Sequence, residues 1–152
     1  MTPRSLAAIL ATTTLLLAMT ASTALAARPV WVFTTQLTGE AERPGPGDLE
    51  AQGHATVGIF PASDRICWVL TWNRVDGTVF AAHIHGPGGT ETPSPIVVPL
   101  FGPETFDGFG THRGCTTSVQ WADAIIASPE MFYVNVHSLP DFGGGAIRGQ
   151  LD

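Results

Sequence analysis

Glycine and proline interrupt this chain about every ten residues after its first quarter, a spacing that leaves no room for long helices. With 17 glycines and 12 prolines in 152 residues, the intervening runs are short and alternate apolar with polar side chains, as half-buried strands do. Trp31, Phe33, Thr35 and Leu37 share one face of a first strand, and Ala55, Val57 and Ile59 one face of a second, Gly53 to Phe60. Ile66 to Trp72 is apolar on both faces, Cys67 and Val69 lying opposite Ile66, Trp68, Leu70 and Trp72, which predicts a central strand. Further strands are expected at Val79 to His85, Pro95 to Leu100, Met131 to His137 and Ala146 to Leu151. Arg43-Pro44-Gly45-Pro46-Gly47 is loop, because two prolines and two glycines cannot sustain a ladder. Helical spacing occurs once, where Val119, Ala122, Ile125 and Ile126 follow Ser118 as a candidate N-cap and Pro129 ends the run. The expected fold is all-β, an antiparallel Greek-key-like β-sandwich with one short helix near residues 118–127.

The first 26 residues read differently. Arg4 is followed by an Ala-, Leu- and Thr-rich apolar run that closes on Ala24-Leu25-Ala26, the charged, hydrophobic, small-residue order of a cleavable export signal. A membrane anchor fits less well, since Thr and Ser dilute the run and a cleavage site ends it. Residues 27–152 then form one domain, and no later segment is apolar enough to span a bilayer. Thirteen acids against seven arginines, with no lysine, make a net negative surface that repels phosphate backbones and argues against nucleic acid as a partner.

An exported chain meets oxidising conditions, so Cys67 and Cys115 read better as a disulfide than as two unpaired thiols. Neither stands in a nucleophile motif, and no Gly-x-Ser-x-Gly is present. On an extended Ala81 to Pro87, His83 and His85 project from one face about 7 Å apart, with Phe80, Ala82 and Ile84 on the core side. Tyr133, Asn135 and His137 share a face in the same way, while Val134 and Val136 point inward. His83, His85 and His137 would supply three nitrogen ligands for copper or zinc with one position open; the bland alternative is structural histidines hydrogen-bonded at a sheet end. His54 and His112, beside glycines, read as exposed, and Glu40 and Glu42 as solvated charges on an edge. Arg148 shares a face with Gln150 and reaches a neighbouring strand, a bound anion or solvent.

Four ordered segments carry a family resemblance: Leu37-Thr38-Gly39 through Glu42-Arg43-Pro44, Ala81 to Pro87, Tyr133-Val134-Asn135-Val136-His137, and Ile147-Arg148-Gly149-Gln150-Leu151. Together they resemble the landmark motifs of the CHRD domain, first named from chordin, and Cys67 with Cys115 resembles the cysteine pair of secreted stand-alone bacterial members. The resemblance implies an extracytoplasmic β-sandwich serving as a non-enzymatic binding or structural module for an extracellular protein or surface ligand. One departure stands out: Ala146 occupies the place of the family's usual glutamate before Ile147-Arg148-Gly149-Gln150. A weaker likeness is to copper-zinc superoxide dismutases, in which His83 and His85 resemble the His-x-His pair, His137 the late histidine and Arg148 the anion-guiding arginine. No metal-bridging histidine or zinc loop accompanies them. That likeness implies at most a single copper or zinc site, redox-active if it holds copper, on His83, His85 and His137, with Asn135 and Arg148 around it.

Overall fold

A computed structural model describes residues 29–152; the expected export signal, residues 1–26, lies outside the described residues. Among the described residues eight strands form in chain order: β1 (Trp31–Thr38), β2 (Gln52–Phe60), β3 (Arg65–Asn73), β4 (Thr78–His85), β5 (Ile96–Phe101), β6 (Gly110–Thr117), β7 (Tyr133–Leu139) and β8 (Ile147–Gln150). One helix, α1 (Val119–Ala127), precedes β7. Every pairing is antiparallel, in the order β5-β4-β7-β8-β1-β2-β3-β6. The all-β expectation with one short helix holds, and the ladder runs as one continuous sheet that is nearly closed. Its two edges meet through rings: Phe101 at the end of β5 lies 4.7 Å from His112 of β6, centroid to centroid, with Phe106 against both.

A single core receives side chains from every strand except β6. Alternation sets their faces: Ala55, Val57 and Ile59 from β2, Ile66, Leu70 and Trp72 from β3, and Val134 and Val136 from β7 are all buried. Ala122 and Ile125 of α1 close the core, one helical turn apart on the same face. Ser118 holds the N-cap position in extended conformation, but its side chain makes no capping bond.

Strand β6 has no counterpart in the sequence reading, and the reason is steric. Gly114 pairs with Trp68 and Gly110 with Trp72. A Cβ at either glycine would enter the neighbouring indole, so the inward positions of β6 carry glycine rather than the apolar residues that mark a strand. His112, between them, is half-buried rather than exposed, its Nδ1 accepting from Trp68 Nε1 at 3.1 Å. Pairing to β2 and β6 makes β3 an interior strand as expected, yet its second face is not covered, Val69 being 44% exposed. On that face Cys67 and Cys115 stand directly opposite in the ladder and form the disulfide.

Candidate metal centre

A polar array lies on the other side of the sheet from the core, laid out by register. Across β4, β7 and β8, His83 is opposite Asn135 and Asn135 opposite Arg148. In the next row His85 faces Tyr133 and Tyr133 faces Gln150, while His137 faces Ala81. Because side chains alternate along strands, each of these residues shares a face with those in the other rows. A register shift between Val79 and Ala81 places Phe80 beside His137, ring centroids 6.0 Å apart, instead of in the core. Val79 takes the buried position expected of Phe80.

Loops roof the array, so that Asn135, His137, Tyr133, Arg148 and His85 are all buried, while His83 remains half-buried at the opening. From β1, the chain turns through Gly39–Ala41 and is fastened by Gly47 N–H to Gly39 O and Asp48 N–H to Ala146 O. Asp48, itself buried, accepts from the amides of Glu50 and Asp76. These bonds carry Glu42 inward, where it is only 3% exposed rather than solvated, whereas Glu40 is exposed as expected. Gly145 adopts φ +145°, and its missing side chain leaves the space that the Glu42 carboxyl fills.

His83, His85 and His137 each offer one ring nitrogen, and these atoms lie within 4.8 Å of one another; they are the one such triad among the described residues. Their second nitrogens determine which atom is offered. His85 Nδ1 lies 2.7 Å from Ser94 O and His137 Nδ1 3.1 Å from Gly143 O. A carbonyl only accepts, so both rings carry their hydrogen on Nδ1 and present a lone pair at Nε2. His83 Nδ1 is 2.9 Å from His137 Nε2, whereas His85 Nε2 is buried with no hydrogen-bond partner. Burial lowers the pKa of all three rings. His83 falls to about 4, through desolvation first and then its two histidine neighbours. Neutral imidazole is the metal-ligating form.

Residues 33–151 match the family model for the CHRD domain. The chain belongs to the CHRD domain family. No curated protein and no solved structure matches it. Membership supports an extracellular-type binding or structural module, and the disulfide agrees with an oxidising compartment. Among the described residues of this CHRD domain, no helix is long and apolar enough to cross a membrane.

The four segments that carry the family resemblance converge on the array. Glu42 comes from the first, His83 and His85 from the second, Asn135 and His137 from the third and Arg148 from the fourth. Glu42 departs from the expected solvated edge charge because the Pro- and Gly-rich loop that follows it folds over the sheet, which no periodic signal in the sequence marks. Its carboxyl is pushed up to about 7 by burial, against the opposing pull of the Arg148 charge, the Arg43 backbone and the Asn135 amide. The Asn135 amide faces both Glu42 and His85, and Asn135 Oδ1 and Glu42 Oε1 have no hydrogen-bond partner. Arg148 Nη2 donates to Gly89 O at 3.0 Å and Nη1 to Thr92 O at 3.4 Å, with its guanidinium carbon 3.4 Å from the Tyr133 ring centroid. His54 is exposed on β2 and takes no part.

A carboxyl whose pKa is raised on folding contributes its full stability below the unfolded value and loses it as pH rises through the folded one. For Glu42 the window runs from its usual 4.5 to about 7. Glu42→Gln, which copies the protonated shape, is expected to be about 3 kcal/mol more stable than wild type at pH 8 and equal to it near pH 4. Urea unfolding at the two pH values measures this. Equal stability at pH 8 would mean that the carboxyl ionises without cost.

Proposed function

We propose that this CHRD domain is an extracytoplasmic binding module whose ligand is one copper or zinc ion, held by His83 Nδ1, His85 Nε2 and His137 Nε2. The observation that carries the reading is the convergence of three ring nitrogens within 4.8 Å of one another, with His85 Nε2 buried without a hydrogen-bond partner and only the Asn135 amide beside it. An unpaired buried acceptor costs about 1–3 kcal/mol, and a bound cation removes that cost. Imidazole nitrogen suits copper and zinc, and three such ligands leave a position open on the half-buried His83 side. The Nδ1–H bonds to Ser94 and Gly143 are the outer contacts that orient metal-binding histidines in general. In the metal-free state His83 donates Nδ1–H to His137 Nε2, so binding requires that His83 move its hydrogen to Nε2 and that the rings adjust, since nitrogens about 2.0 Å from one zinc at tetrahedral angles lie about 3.3 Å apart.

Residues 1–26 act as the export signal in this reading, placing the domain where Cys67 and Cys115 stay joined and free metal is met. Protein secreted by its cell is expected to begin at Ala27, checked by intact mass. Purified domain exposed to copper(II) or zinc(II) and then desalted is expected to retain one equivalent by elemental analysis. Retention below a tenth of an equivalent of either metal would overturn the proposal.

A further inference from the structure

The connection from β4 to β5, residues 86–95, crosses over the polar array and is pinned at several points. Gly86 N–H donates to Pro95 O at 3.1 Å and Gly88 N–H to Met131 O at 2.8 Å. Gln150 Nε2 donates to Gly88 O at 3.4 Å. Near the far end of the loop, the Ser94 residue is held from both sides: its N–H donates to the Tyr133 hydroxyl at 3.0 Å and its carbonyl takes the Nδ1–H of His85 at 2.7 Å. Between these points Arg148 grips the middle of the loop from the buried side, through the carbonyls of Gly89 and Thr92, while on the exposed side Arg43 pairs with Glu91 at 3.4 Å, a solvated contact of little strength. Arg148 is 2% exposed. An arginine that guides anions faces solvent; this one turns its fork to two carbonyls of one loop and to Gln150 Oε1, and its flat face to the Tyr133 ring.

We infer that Arg148 is a positioning residue of the histidine centre: by holding the 86–95 loop to the sheet it aims the Ser94 carbonyl at His85 Nδ1, and so fixes which ring nitrogen His85 turns toward His83 and His137. The inference rests on the metal-site reading for its purpose, but not for its geometry. Lysine keeps the charge, yet one ammonium cannot reach both carbonyls and lie flat on the ring. With Arg148→Lys the loop loosens, the Ser94 carbonyl drifts and His85 samples both tautomers. His137 serves as an internal control, because its Nδ1–H goes to Gly143 in a different loop.

The experiment is long-range 15N–1H correlation NMR of the metal-free protein, followed by competition titration with zinc(II). Wild type is expected to show His85 and His137 each as a single Nδ1–H tautomer. Arg148→Lys is expected to show mixed tautomers at His85 alone, and a zinc affinity lower by 10–100-fold, the usual effect of losing an outer contact to a ligand. Tyr133→Phe keeps the ring, which stacks on His85, but removes the hydroxyl that holds Ser94. It is expected to loosen His85 in the same way, and its loss of zinc affinity is expected not to add to that of Arg148→Lys. Should Arg148→Lys fail to fold, Tyr133→Phe carries the test alone. A single His85 tautomer in the variants, or equal disturbance of His85 and His137, overturns the inference. If wild type takes up no zinc while the tautomers behave as stated, the metal reading falls and the positioning role stands.

Discussion

Replacing Cys67 and Cys115 together with alanine is expected to lower the unfolding free energy by about 4 kcal/mol and the melting temperature by on the order of 15 °C. The two cysteines are 48 residues apart, and freeing a loop of that length restores chain entropy to the unfolded state. A domain of this size has roughly 5–15 kcal/mol in total, so the loss is a large fraction. The effect is expected to concentrate at β6. That strand gives no side chain to the core and is held by its ladder to β3, its tryptophan contacts and the bridge. Without the bridge, Trp68 and Trp72 are expected to become more solvent-accessible below the main transition, which their fluorescence reports. Denaturant titration of the double variant and of reduced wild type measures the main effect. A difference under about 1 kcal/mol would show that the β3–β6 ladder holds the edge without a covalent tie.

A second large effect is expected from His83→Ala with His85→Ala. Wild-type domain with metal at 1,000 times its Kd gains about 4 kcal/mol of stability through binding the folded state alone. The double variant is expected to gain none, and to bind at least 100-fold more weakly, with an unchanged circular dichroism spectrum in the absence of metal. His83 is half-buried and His85 lies under the loop, so both rings are removed from the outer face and the core cluster keeps all its members. If the variant keeps one tightly bound equivalent, the ligands lie elsewhere and the triad is a structural hydrogen-bonded cluster. Thermal melts with and without added copper(II) or zinc(II) separate the outcomes.

Much of this fold was legible because strand alternation is a local signal: β2, β3 and β7 declare their inward faces residue by residue, β4 does so at Ala82 and Ile84, and the spacing of α1 does the same. Strand β6 was illegible for a non-local reason, since the side chains that fill its inward space belong to Trp68 and Trp72 on another strand. The displacement of Phe80 is a one-residue irregularity that no alternation pattern contains. Of the site, the three histidines and Asn135 could be read because they sit at strand spacing. Glu42 and Ser94 could not, because loops that fold over a sheet leave no periodic trace, and their roles arise from backbone bonds such as Asp48 N–H to Ala146 O and Ser94 N–H to Tyr133.

The polar rows across β4, β7 and β8 also bear on how the chain finds its pairing. A slip of β7 by one residue would turn Asn135 and His137 into the core and bring Val134 and Val136 under the loops. Uncompensated amide and imidazole groups in the core cost several kcal/mol, while Ser94 and Gly143 would lose the side chains they hold. The groups that gather a ligand therefore also reject misaligned copies of the sheet, and a chain that has folded out of register is one in which the site cannot exist.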